Sequence, residues 1–84
     1  MWCRGRTGVL VNLEQCKIIR IEESEWEGKP GIRLIAFLDN TTQITLETAD
    51  LETMPRDEAM HEVELIREQL FRAISNGARF FRIE

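Results

Sequence analysis

Residues 31–48, GIRLIAFLDNTTQITLET, hold two apolar runs separated by Asp39-Asn40-Thr41-Thr42. Successive side chains of a strand point to opposite faces, so Ile32, Leu34, Ala36 and Leu38 share one face while Ile35 and Phe37 share the other with Arg33. Apolar residues on both faces mark a central or interface strand. Asp and Asn tolerate turn conformations and bond to their own backbone, which suits a tight reversal after residue 38. From 43 to 48 the chain alternates again, with Ile44 and Leu46 inward and Gln43, Thr45 and Glu47 outward. The stretch predicts an antiparallel hairpin.

Two further strands precede it. Val9, Val11 and Leu13 alternate with Leu10 and Asn12, giving a first strand over 9–13, with residues 4–7 as its lead-in or a short pairing segment. A second strand over 16–22 places Ile19 and Ile21 on one face and Arg20 and Glu22 on the other; Ile18 falls on the polar side and predicts a bulge or a partly covered second face there. The segment 23–31 contains Gly28, Pro30 and Gly31 and reads as a hairpin tip carrying Glu23, Glu25 and Glu27 around Trp26.

Beyond the hairpin the period changes to that of a helix. Ala59, Val63, Ile66, Leu70 and Ile74 make one stripe, flanked by Met60, Phe71 and Ala73, over about residues 55–76. Pro55 suits the first turn, Asp57 and Glu58 suit the positive end of the helix dipole, Thr53 is the expected cap, and Asn76-Gly77 supplies the stop. The tail over 78–84 has strand composition and predicts addition to a sheet edge, its own or a partner's. The fold class expected is α+β: an antiparallel β-meander of four to five strands covered by one C-terminal amphipathic helix, in outline a pleckstrin-homology-like half-barrel.

At 84 residues and 43% hydrophobic, the chain suits one domain with one core, and self-association is a common way for so small a domain to bury more surface. The net charge of −4 is unevenly spread: residues 1–20 sum to +3, residues 21–64 to −9 and residues 65–84 to +2. The acidic total disfavours non-specific phosphate-backbone binding, although a local basic patch escapes that average. Cys3 and Cys16 supply neither a disulfide framework nor enough ligands for structural zinc, and both are expected as free thiols in a reducing cytoplasm. No stretch reaches membrane-spanning length, and residues 1–4 do not lead into a signal-peptide apolar run, so the expected address is cytoplasmic.

No constellation of catalytic residues stands out. His61 lies one helical turn from Asp57, but no nucleophile can be placed beside the pair. His61, Glu64 and Glu68 share a helical face, yet a carboxylate metal site needs inward ligands from other helices. Gly5-Arg6-Thr7-Gly8 is not followed by a helix, so neither a phosphate loop nor a dinucleotide fingerprint is supported. Neither cofactor nor metal is expected, and the chain reads as non-enzymatic.

The run Val11-Asn12-Leu13-Glu14, followed by strands over 18–22, 32–38 and 43–48, resembles short bacterial and phage proteins in which such a strand opens a small meander capped by one helix; the small flagellar proteins of the FlbD type are similar in outline. The resemblance covers about residues 8–74 and implies a fold, with no functional residue to carry over.

Two functional readings follow. The first is a protein-interaction module that self-associates, with Ile35, Phe37, Phe80 and Phe81 at the self-interface, Leu65 marking the outer helix face as a further place for a partner, and Trp26 anchoring a protein partner at the acidic loop. The second is a small nucleic-acid-binding regulator. Arg4 and Arg6 with Trp2, and Arg79 and Arg82 with Phe80 and Phe81, form two basic-aromatic clusters that become one patch if the terminal strands pair.

Overall fold

In a computed structural model, which describes residues 1–83, the chain is α+β, with six strands and one long helix among the described residues. In chain order they are β1 (Trp2–Arg4), β2 (Leu10–Asn12), β3 (Ile18–Trp26), β4 (Lys29–Phe37), β5 (Gln43–Asp50), α1 (Arg56–Ser75) and β6 (Phe80–Arg82), with a single 3-10 turn at Leu13–Gln15. The strands form two three-stranded sheets, β3-β4-β5 and β2-β1-β6. The half-barrel expectation gives way to this pair of sheets, because β2 joins β1 instead of continuing into β3.

The two-sided apolarity of residues 32–38 has its explanation in β4, the centre of an antiparallel sheet. Its even positions Ile32, Leu34 and Ala36 face α1 and are fully buried, as are Ala59, Val63 and Leu70 on the helix. Fully burying one such aliphatic side chain contributes roughly 1.5–3 kcal/mol, so this face carries much of the fold. Cys3, Val11 and Ile83 extend the same core under the second sheet. The odd positions Arg33 and Ile35 are also buried, on the opposite face; Ile35 is only 2% exposed and lies outside the main cluster.

No register shift interrupts β3 against β4, so the bulge expected at Ile18 is absent there; Ile18 is simply a half-exposed edge residue. The irregularity lies in β5 instead. Leu34 faces Glu47 whereas Ile35 faces Thr45, leaving Leu46 as the extra residue. Its carbonyl accepts the Arg6 N–H at 2.9 Å, which joins the two sheets. Gly5 makes that approach feasible: a Cβ there would lie 3.0 Å from the Leu46 oxygen and 3.0 Å from Val9 Cγ1.

The helix begins one residue after Pro55, which stands at the N-cap position with φ −58° and ψ 147° and offers no side-chain cap. Thr53 is not the cap; its hydroxyl and its N–H both donate to the Asp50 carbonyl in the preceding turn. Asp57 and Glu58 in the first turn offset the exposed N–H groups. At the other end Gly77 takes a positive φ of 74°, and the Ala78 N–H bonds to the Ala73 carbonyl, which turns the chain into β6.

Candidate functional site

The β2-β1-β6 sheet is built from both ends of the described chain. β1 pairs antiparallel with β2 and parallel with β6, and the register puts Trp2 beside Asn12 and Phe80, and Arg4 beside Leu10 and Arg82. Alternation then sorts the residues. Cys3, Val11 and Phe81 turn inward, while Trp2, Arg4, Leu10, Phe80 and Arg82 turn outward. Trp2 is 50% exposed, Phe80 51% and Leu10 56%. The two basic-aromatic clusters therefore form one face, with an aromatic row next to a basic row.

Arg79 extends this face into a cleft of about 520 Å³ that it lines with Trp2, Asn12, Glu14 and Ile74. Glu14 is held there by the amino group of Met1 at 3.5 Å. Neither Arg4 nor Arg79 has a carboxylate within salt-bridge distance among the described residues.

Arg6 is the one arginine of the expected set that leaves the patch. Its guanidinium bonds Glu47 through Nε at 2.9 Å and Nη2 at 2.7 Å, and Glu47 is buried. Its charge is committed to the bulged strand.

The residues assigned to a self-interface scatter. Ile35 is covered within the chain and has no surface to offer. Phe37 is half-buried with the Arg20 guanidinium 4.6 Å above its ring, and Phe81 packs against the core. Leu65 is exposed on the outer face of α1; Phe71 and Ile74 are also exposed, but near the C-terminal end of the helix and on its other side. Since Ile35 is already buried within the chain, a second copy is not required to cover it.

A second concavity lies on the outer face of β3-β4-β5. It has a volume of about 450 Å³ and is lined by Trp26, Lys29, Pro30, Arg33, Thr48 and Asp50 among others. Trp26, at 68% exposure, stands on its rim. Sequence reading assigned Arg33 no role, although an arginine inside an otherwise apolar run was a visible signal.

His61 is exposed on α1, and among the described residues no three His, Cys, Asp or Glu side chains converge to hold a metal. The two cysteines are free; burial pushes the Cys3 thiol up to about 11 and also raises that of Cys16. Such thiols are poor nucleophiles near neutrality. No described helix is long and apolar enough to cross a membrane. The molecule is thus defined by a two-sheet α+β fold with one helix and two candidate binding surfaces. Comparison with protein-family models, curated proteins and solved structures finds no match.

Proposed function

We propose that this chain is a small non-enzymatic binding module that holds single-stranded nucleic acid on the outer face of β2-β1-β6. The observation that carries the reading is the register of β1 with β6, which sets Trp2 beside Phe80 and Arg4 beside Arg82. Neighbouring strands lie about 4.8 Å apart, a spacing over which two successive bases can stack on two adjacent rings. Stacking on an aromatic side chain contributes about 1–3 kcal/mol per base and tolerates any base. Arg4 and Arg79 lie where the phosphates of such a strand would run, with Arg82 beside them. A flat sheet face admits unpaired bases, whereas base edges inside a duplex would not reach the rings.

The test is fluorescence titration of a Trp26→Phe variant, whose remaining tryptophan is Trp2, with oligo-dT and oligo-U at about 50 mM salt, since affinity of this kind falls as salt rises. Quenching that saturates is expected. With Arg4 and Arg79 engaged, the slope of log K against log salt should be about −1.4. Trp2→Ala, which removes that reporter and is read instead by the anisotropy of a dye-labelled oligonucleotide, should weaken binding by about 1–3 kcal/mol. Absence of saturable quenching at that salt would remove the reading.

The second reading is self-association, and one observation favours it. Phe71 and Ile74 emerge from cover at the C-terminal end of α1, and Ile74 shares the cleft beside Trp2. A second copy seated there would bury these side chains with Phe80. Light scattering separates the readings: a monomer that binds oligonucleotide supports the first, and a dimer abolished by Phe80→Asp supports the second.

A further inference from the structure

We propose that the groove on the outer face of β3-β4-β5 is a binding site for an oxyanion, the carboxylate or phosphate of a small ligand, with Arg33 as its principal partner. Arg33 is 8% exposed, and its Nη1 donates to the Ser24 carbonyl at 2.6 Å, to Ser24 Oγ at 2.8 Å and, more weakly, to the Gly31 carbonyl at 3.5 Å. Those contacts fix the plane of the guanidinium on the sheet. All three acceptors are neutral, and among the described residues no carboxylate lies within 4.0 Å of Arg33.

Among the described residues Nε and Nη2 find no hydrogen-bond acceptor, yet no buried side-chain nitrogen there lacks a partner, so these two donors keep accessible surface. Arg33 lines the groove of about 450 Å³. A guanidinium presents Nε and Nη2 as a parallel pair, the fork that a carboxylate or phosphate accepts bidentately. Gly31 keeps the backbone low beside it, since a Cβ there would lie 3.4 Å from Nη2 and 3.2 Å from both the Ala49 oxygen and Thr48 Cγ2.

The surroundings define the ligand. Lys29 is exposed at the same groove and adds a second positive charge, and Trp26 offers a flat apolar wall on the rim. Two carboxylates also line it. Glu47 is neutralised by Arg6, and Asp50 Oδ1 accepts the Glu52 N–H at 2.8 Å, which turns part of its charge to its own loop. The groove therefore holds three cations against two anions, and a largely buried guanidinium gains more from a counter-charge than an exposed one because much of its hydration is already lost. A small molecule with one anionic end and a planar or apolar body fits this chemistry.

The site shares no residue with the nucleic-acid face, so the two proposals stand or fall separately. The experiment is an NMR titration of the full chain, labelled with nitrogen-15, following the Arg33 Nε–H signal during separate additions of inorganic phosphate and acetate. A saturable shift of that signal is expected with at least one of them, with Kd in the millimolar range or tighter. Saturation by phosphate alone identifies a phosphate ligand, and by acetate alone a carboxylate ligand. Lys29→Ala, an exposed change that leaves Arg33 in place, should weaken that affinity about two- to fivefold, and the Arg4→Ala, Arg79→Ala double variant should leave it unaltered. A shift that stays linear to about 100 mM, where even a weak specific site would be filled, would overturn the proposal. So would an Arg33 signal that stays still while Arg4 and Arg79 move.

Discussion

Arg6 and Glu47 meet across 41 positions of sequence, and their contact, with Nη2 to Oε2 at 2.7 Å, is the polar clasp between the two sheets. The carboxylate is buried; the guanidinium is half-exposed. Arg6→Ala leaves Glu47, among the described residues, with only the Thr48 N–H as a hydrogen-bond donor, at 2.8 Å. The expected loss is roughly 1–3 kcal/mol, the usual consequence of stranding a buried polar group. Urea denaturation measures it, and a double cycle with Glu47→Gln should show the two changes to be non-additive.

Gly5→Ala should be as damaging without touching any charge. The added methyl would stand 3.0 Å from a backbone oxygen, that of Leu46, which cannot swing away as a side chain can. Overpacking of this kind costs about 1–3 kcal/mol. Loss of the Arg6 N–H to Leu46 carbonyl bond should appear as faster hydrogen exchange at Arg6.

Ile35 and Ile18 provide a matched pair of truncations. Ile35→Ala is expected to destabilise by about 2–5 kcal/mol, as for a buried core residue. Ile18→Ala, at an exposed edge position, should fall within about 0.5 kcal/mol of the parent. Equal small effects at both would contradict the burial of Ile35.

Cys3 should make stability fall on the alkaline side. Burial raises its thiol from the ordinary 9.0 to about 11 in the folded chain. Below pH 9 the proton is held in both states; between 9 and 11 only the unfolded state releases it, so unfolding gains ground as pH rises. Relative to a Cys3→Ala variant measured at each pH, the parent should lose roughly 2–3 kcal/mol over that window. Thiol labelling at pH 8 should reach Cys3 only upon unfolding.

Asp39 acts at the opposite end of the scale. Its Oδ1 accepts from Thr41 N–H at 2.8 Å, Thr41 Oγ1 at 3.0 Å and Thr42 N–H at 2.7 Å, and these bonds lower its pKa. The turn is therefore tightest above the ordinary carboxylate range and loosens as pH falls through the depressed value. Amide shifts of Thr41 and Thr42 should report one shared titration, which Asp39→Ala abolishes.

Much of this architecture is legible in residues 31–48 and 55–77, where period-2 and helical patterns are long and their punctuation is strong. The helix end at Gly77, the four-residue turn and the two-sided strand all follow from local chemistry. The short terminal strands do not. Three residues such as Trp2–Arg4 carry no measurable period, and one of the two strands they pair with, β6, lies far along the chain. The bulge left a faint trace: Ile44 and Leu46 are in phase, but the next buried apolar position is Ala49, an odd step that betrays an inserted residue. Of the candidate site, the residue types were legible and their union into one face was conditional on strand pairing. Arg6 was misassigned because its partner, Glu47, lies far along the chain.

The side-by-side alignment of β1 with β6 also fixes when the aromatic face can exist. Loop closure between positions 2 and 80 is among the most entropically demanding steps available to this chain, and nothing local rewards it early. The β3-β4-β5 meander and the β1-β2 pair can assemble on a growing polypeptide, but Trp2 has no aromatic neighbour until Phe80 has left the ribosome. Whatever that face recognises, it is recognised only after β6 has docked.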